Sequence, residues 1–136
     1  ALAAKGWQRL ILATDSNVGA GLPPGEYLSP VGGRLRIAPG DAARLCQPGS
    51  PLDGALAGST LTMNRGLENL LAWLPLPEEH VWAMASRNPA RLLELVSKGS
   101  LHVGADADLV LWDQIDGQLS AVHTWVGGRT VFQRTK

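Results

Sequence analysis

Leu10-Ile11-Leu12-Ala13-Thr14-Asp15-Ser16-Asn17 passes from four apolar residues into a carboxylate and on toward a glycine-rich segment. Residues 9–15 predict a short buried strand, of the kind that lies inside a parallel sheet with neighbours on both sides and helices on both faces. A rigid strand that ends in an acid and opens into a loop is how an α/β enzyme presents a catalytic acid or base. The other reading of Asp15 is a carboxylate that caps the next turn. Few residues precede this strand, and the chain begins at Ala1 rather than Met. The expectation is therefore a segment of a longer protein, because so short a lead cannot supply the neighbours a buried strand needs.

The chain changes character beyond Asp15. Nine of its 16 glycines and six of its nine prolines fall between Gly19 and Gly58, which predicts loop rather than helix. Within it, Arg34-Leu35-Arg36-Ile37 alternates and suggests a small hairpin, with an irregular loop as the alternative. Leu67, Leu70, Leu71 and Leu74 stand at i, i+3, i+4 and i+7, one apolar face of a helix that Pro75 stops. A second helix is expected from Pro77, with Glu78 and Glu79 in its first turn and Val81, Met84 and Ala85 inward. A third is expected from an Asn88 cap and Pro89, through Leu92, Leu93 and Val96, with Gly99 as its stop. The tail reads as β: residues 108–113, then 122–126 and 130–133 paired across Gly127-Gly128, with Asp116-Gly117 as a tight turn.

The 136 residues allow one ordinary domain with a modest core; they are 45% hydrophobic and 18% charged. Twelve basic and twelve acidic residues balance with no like-charge block, so neither nucleic acid nor a membrane surface is an expected partner. No apolar run approaches the roughly 18 residues a membrane span needs. The lone Cys46 cannot form an internal disulfide and says little beyond compatibility with a reducing compartment; a cytoplasmic protein is expected.

Little else in the sequence offers chemistry. His80, His102 and His123 are dispersed, with His80 expected on the solvated side of its helix; no metal ligands are expected in this chain. Gly19-Ala20-Gly21-Leu22-Pro23-Pro24-Gly25 lacks the lysine of a phosphate-binding loop and reads as a turn. Leu56-Ala57-Gly58-Ser59-Thr60-Leu61-Thr62-Met63 has small residues that let a ligand approach the backbone, just before a helix N-terminus. It also fits a plain helix start capped by Ser59 or Thr60.

Four motifs in order carry a resemblance: Thr14-Asp15 with Ala20-Gly21-Leu22-Pro23-x-Gly25-x-Tyr27; Leu56-Ala57-Gly58-Ser59-x-Leu61-Thr62-Met63; Ala85-Ser86-x-Asn88-Pro89-Ala90-Arg91; and Lys98-Gly99-Ser100-Leu101 continuing to Gly104-Ala105-Asp106-Ala107-Asp108-Leu109-Val110. Together they resemble the C-terminal part of the N-acetylglucosamine-6-phosphate deacetylase family, in the amidohydrolase superfamily. The resemblance implies an α/β fold: the C-terminal fragment of a (β/α)8 amidohydrolase barrel plus part of a small β-sandwich. Residues 1–106 would be the end of the barrel, with 9–15 its eighth strand, and residues 107–136 strands of the sandwich.

In that family the aspartate ending strand eight hydrogen-bonds a metal-bound water, takes its proton, and later protonates the leaving amine; Asp15 matches it. Leu56, Ala57, Gly58 and Ser59 match the loop that contacts the amino-sugar phosphate. The implied cofactor is a divalent metal, zinc or iron, held by residues outside this chain. The implied full-length assembly is a homo-oligomer, a dimer. On its own the chain is expected to bind no metal tightly and to be inactive. Ser16 and Asn17 depart from the family, which carries Ala and then a small or apolar residue there; Ala55 stands where Thr is usual. The open alternatives are an amidohydrolase acting on a cyclic amide or N-acyl amino acid, and a non-catalytic remnant that folds only by association.

Overall fold

In the computed structural model, which describes residues 1–30 and 32–135, residues 10–15 belong to no strand among the described residues. This corrects the buried strand predicted over residues 9–15. A short helix α1 (Leu2–Lys5) and a 3-10 turn over Trp7–Arg9 come first. A strand needs a partner to take its backbone hydrogen bonds; here helices take them instead. Leu12 N–H donates to the Met84 carbonyl at 3.0 Å. The buried Asn88 donates Nδ2 to the carbonyls of Trp7 and Leu10 at 2.8 and 2.7 Å. Leu12 packs against the core while Ile11 stays 40% exposed.

The chain divides into two compact units, one of Ala1–Ala13 with Asn64–Lys136 and one of Thr14–Met63. The first holds the helices. The leucine periodicity gives α2 (Met63–Trp73), α3 runs over Glu78–Ala85, and α4 over Arg87–Leu92. Pro77 precedes α3 by one residue, where its missing N–H costs nothing. Leu67, Val81 and Leu119 are buried together, with Leu70, Leu71, Trp82 and Trp112 packed around them.

Two expectations for α4 are corrected. Asn88 lies inside the helix rather than capping it, because its amide is committed to the Trp7 and Leu10 carbonyls. The helix also ends at Leu92, well before Gly99, and Val96 is 90% exposed. Glu94 takes a left-handed φ of 56°, its N–H returns to the Arg91 carbonyl, and Leu95 N–H returns to Ala90. These are the paired closing bonds of a Schellman motif, which turn the chain away from the helix axis.

The tail is an antiparallel three-stranded sheet in the order β4 (Leu109–Ile115), β5 (Gln118–Val126), β6 (Arg129–Gln133). Both turns predicted there form. Asp116 and Gly117 have φ 52° and 74°, and Gly127 and Gly128 have 55° and 74°, the two positive values that a tight type I′ hairpin requires.

The second unit holds another antiparallel sheet, β1 (Gly25–Leu28), β2 (Arg34–Ile37) and β3 (Arg44–Cys46). The alternation in β2 buries Leu35 and Ile37 beside Ala43 and leaves Arg34 and Arg36 outside. The expected hairpin is thus present and has a third strand. Arg36 donates to Glu26 across the sheet at 3.1 Å and holds that carboxyl below its ordinary pKa.

Candidate active site

Asp15 is exposed, just ahead of a turn over residues 18–21, and has a left-handed φ of 52°, uncommon for a residue with a β-carbon. What holds it there is the second segment singled out in the sequence. Ser59 N–H donates to the Asp15 carbonyl at 2.8 Å, and Asn17 N–H donates to the Ser59 carbonyl at 3.0 Å. Residues 16 and 59 form a single parallel bridge, and the two segments run side by side. The structure therefore brings Asp15 against Ala57–Ser59, more than 40 residues away in sequence.

Leu56 is anchored from the other side. It forms an antiparallel bridge with Arg44, and Ala57 N–H donates to the Ala43 carbonyl at 2.8 Å. The segment Leu56–Ser59 thus lies between the end of the small sheet and the Asp15 turn, with backbone bonds to each. Leu56 itself remains 67% exposed. Gly58 has φ 90°, and a β-carbon there would lie 3.0 Å from the Asp15 carbonyl oxygen. A glycine is needed for two backbones to approach this closely.

The helix-cap reading of this segment is not what forms. Ser59 Oγ accepts from Leu61 N–H at 2.7 Å, and Thr60 Oγ1 donates to the Asp41 carbonyl at 3.1 Å. Both hydroxyls are used inside the loop, ahead of the first residue of α2.

Two residues matter more here than the sequence reading gave them credit for. Asn17 Nδ2 donates to the Ser59 carbonyl at 2.8 Å, and Asn17 Oδ1 accepts from Gly19 N–H at 2.8 Å. Ser16 Oγ donates to the Leu61 carbonyl and lies 2.9 Å from Thr14 Oγ1. The available signal was the departure itself: two polar side chains where the resemblance leads one to expect small or apolar ones.

The histidines do not converge on this turn. His80 stacks on Trp7 with ring centroids 3.9 Å apart, and its Nδ1 is buried without a partner among the described residues, contrary to the solvated position expected. His123 meets Thr130 at 2.9 Å and stacks on Trp125, and His102 Nδ1 lies 3.0 Å from the Val103 carbonyl. Among the described residues, no three His, Cys, Asp or Glu side chains are grouped as a metal site requires.

Residues 10–131 match the sequence pattern of the amidohydrolase family. The chain belongs to the amidohydrolase family. It is similar to the N-acetylglucosamine-6-phosphate deacetylase of Vibrio furnissii, 37% identical over 125 residues, covering 91% of this chain and 29% of that protein. It is also similar to the N-acetylgalactosamine-6-phosphate deacetylase of Escherichia coli O157:H7, 30% identical over 129 residues, covering 90% of this chain and 30% of that one. The crystal structure of the N-acetylglucosamine-6-phosphate deacetylase from Thermotoga maritima superposes with a TM-score of 0.76 at 29% identity, over 98% of this chain and 34% of that structure. This amidohydrolase chain thus spans about a third or less of the length of those relatives. It is a mixed α/β segment with two small sheets, and no helix among its described residues is long and apolar enough to cross a membrane.

Proposed function

We propose that this chain is the C-terminal portion of an amide hydrolase that removes the acetyl group from N-acetylglucosamine-6-phosphate, releasing glucosamine-6-phosphate and acetate. The observation that carries this reading is the pairing of Asp15 with Ala57–Ser59: an acid–base group and a small-residue loop held together by backbone hydrogen bonds. The names of the relatives support an amino-sugar phosphate as substrate. Residues 1–106 are assigned to the end of a (β/α)8 barrel, with the extended segment before Asp15 as a strand completed by partners outside this chain. Residues 107–136 are assigned to a small β-sandwich. A cytoplasmic homodimer belongs to the same reading.

Asp15 is the general base and acid. Its carboxylate takes a proton from the water that attacks the amide carbonyl and delivers one to the nitrogen as the C–N bond breaks. Leu56–Ser59 lies along the sugar, where Ala57 and Gly58 leave room for a ring to approach the backbone. A divalent metal, zinc or iron, is the family's cofactor. The described residues of this chain do not fit it as a cage, so its ligands are assigned to the rest of the enzyme.

The test is an acetate and free-amine assay of the intact protein. It is offered N-acetylglucosamine-6-phosphate, its galactosamine epimer, a cyclic amide and a set of N-acyl amino acids. N-acetylglucosamine-6-phosphate should turn over fastest. Asp15→Asn should fold and lose about 10²–10⁴-fold in kcat, the scale of a lost acid–base group. Near-normal turnover in that variant, or a preference for the cyclic amide or the amino acids, would sink the reading.

A further inference from the structure

We propose that Asn17 is a positioning residue, which fixes where the Asp15 carboxylate stands relative to the Leu56–Ser59 loop. The proposal rests on the reading of Asp15 as the acid–base group and deepens it by naming what sets that group's aim.

The argument starts from what Asn17 does with its side chain. The carboxamide carries a donor and an acceptor on one short arm. The donor reaches the Ser59 carbonyl at 2.8 Å, which Asn17 N–H also reaches at 3.0 Å. The same Nδ2 lies 3.5 Å from the Ala57 carbonyl. The acceptor takes Gly19 N–H at 2.8 Å and so closes the turn that follows Asp15. One side chain therefore ties both carbonyls that flank Gly58 to the turn that carries the carboxylate. On the other strand of this contact, Ser59 N–H holds the Asp15 carbonyl at 2.8 Å.

The two segments have no continuous ladder to keep them in register. They share one parallel bridge, at residues 16 and 59. Asp15 is also in a left-handed conformation, which aspartate visits more readily than most residues with a β-carbon but which its neighbours help to hold. If the Asn17 bonds are removed, the remaining tie is a few backbone bonds around a residue in the left-handed conformation. The turn can then relax, and the carboxylate moves with it. A displacement of about 1 Å between reacting groups is enough to cost on the order of 10²-fold in rate. Asparagine is specific to the task. Alanine loses both bonds, and aspartate keeps the size and the Gly19 bond but turns a donor into a negative oxygen facing a carbonyl.

The experiment measures steady-state deacetylation and thermal melting of the intact enzyme as wild type, Asn17→Ala, Asn17→Asp and Asp15→Asn. Both Asn17 variants should melt cooperatively within a few degrees of wild type. Both should lose about 10–100-fold in kcat with KM changed less than about threefold, the split that marks an interaction needed only in the transition state. Asn17→Asp, isosteric with the native residue, keeps the test valid if Asn17→Ala is poorly folded. Folded variants with wild-type kcat would overturn the proposal, and so would a loss confined to KM. If Asp15→Asn retains activity, the acid–base reading fails instead. If Asp15→Asn is inactive while both Asn17 variants are normal, only the positioning role fails.

Discussion

Gly58 occupies a position where a β-carbon would be crowded against backbone. Its φ of 90° is one that L-residues rarely adopt, and the added atom would sit 3.0 Å from the Asp15 carbonyl oxygen. Neither cost can be relieved by turning a flexible side chain, because the obstacle is backbone. Gly58→Ala should therefore lose roughly 1–3 kcal/mol of stability, the usual cost of a forced backbone conformation. It should also lose turnover, since the loop must retreat from Asp15. Urea titration and deacetylation kinetics of the intact enzyme check both, and a variant with unchanged midpoint and rate would refute the close approach. At this scale the sequence was partly legible. Asp15 stood out as an acid after an apolar run, and the small residues at 56–59 stood out as a place for close approach. The bond between them was invisible, because 42 residues separate Asn17 from Ser59 and no periodicity spans that gap. Asn88 was hidden for a related reason. Asn followed by Pro reads as a cap, and only the fold reveals that its amide is needed by two carbonyls some 80 residues away.

Single elements followed local rules where local rules were sufficient. The leucines at 67, 70, 71 and 74 placed α2, and paired positive φ values at Asp116-Gly117 and Gly127-Gly128 closed the tail hairpins. The apolar run at residues 10–13 forms no strand among the described residues and is only half-buried, because periodicity proposes a strand while pairing is a property of the neighbour. The end of α4 misled because its left-handed residue is a glutamate, while Gly99 offered a more conspicuous stop. A testable consequence belongs to this element. Glu94→Gly should stabilise the protein by about 0.5–1 kcal/mol, because the left-handed C′ position costs any residue with a β-carbon. A raised urea midpoint with an unchanged slope is the expected result; an unchanged or lowered midpoint would contradict the Schellman closure.

At the scale of the whole molecule, one charge cluster joins the segment after α4 to the terminal sheet. Lys98 pairs with Asp106 at 2.8 Å and with Asp108, and Asp108 also accepts Gly127 N–H at 2.7 Å. The hydrogen bonds from Lys98 hold both carboxyls below the usual 3.8, and those carboxylates push the Lys98 ammonium up to about 12. Carboxyls with lowered pKa stabilise the fold above about pH 3.8 and lose that contribution as pH falls through their folded values. A lysine with raised pKa stabilises below its ordinary 10.5 and loses its contribution as pH rises through about 12. The cluster's contribution should be flat between these limits, decline at both ends, and weaken with salt because all three groups are partly exposed. Lys98→Met should remove the alkaline decline and shrink the acid one, since Asp108 keeps its bond to Gly127 and Asp106 its bond to Ser97. Melting temperature against pH in both proteins is the measurement, and identical profiles would exclude the cluster as a source of pH dependence.

The division into two units has an optical consequence. All five tryptophans, Trp7, Trp73, Trp82, Trp112 and Trp125, belong to the unit of Ala1–Ala13 and Asn64–Lys136, and Trp82 and Trp112 lie 6.0 Å apart beside its core. The single tyrosine, Tyr27, belongs to the other unit, where its hydroxyl donates to the Pro23 carbonyl at 2.5 Å. Indole emission is therefore a native label for the helical unit and its terminal sheet, and phenol absorbance a native label for the unit that carries Asp15. The molecule comes with two colours already assigned, one to the scaffold and one to the proposed chemistry.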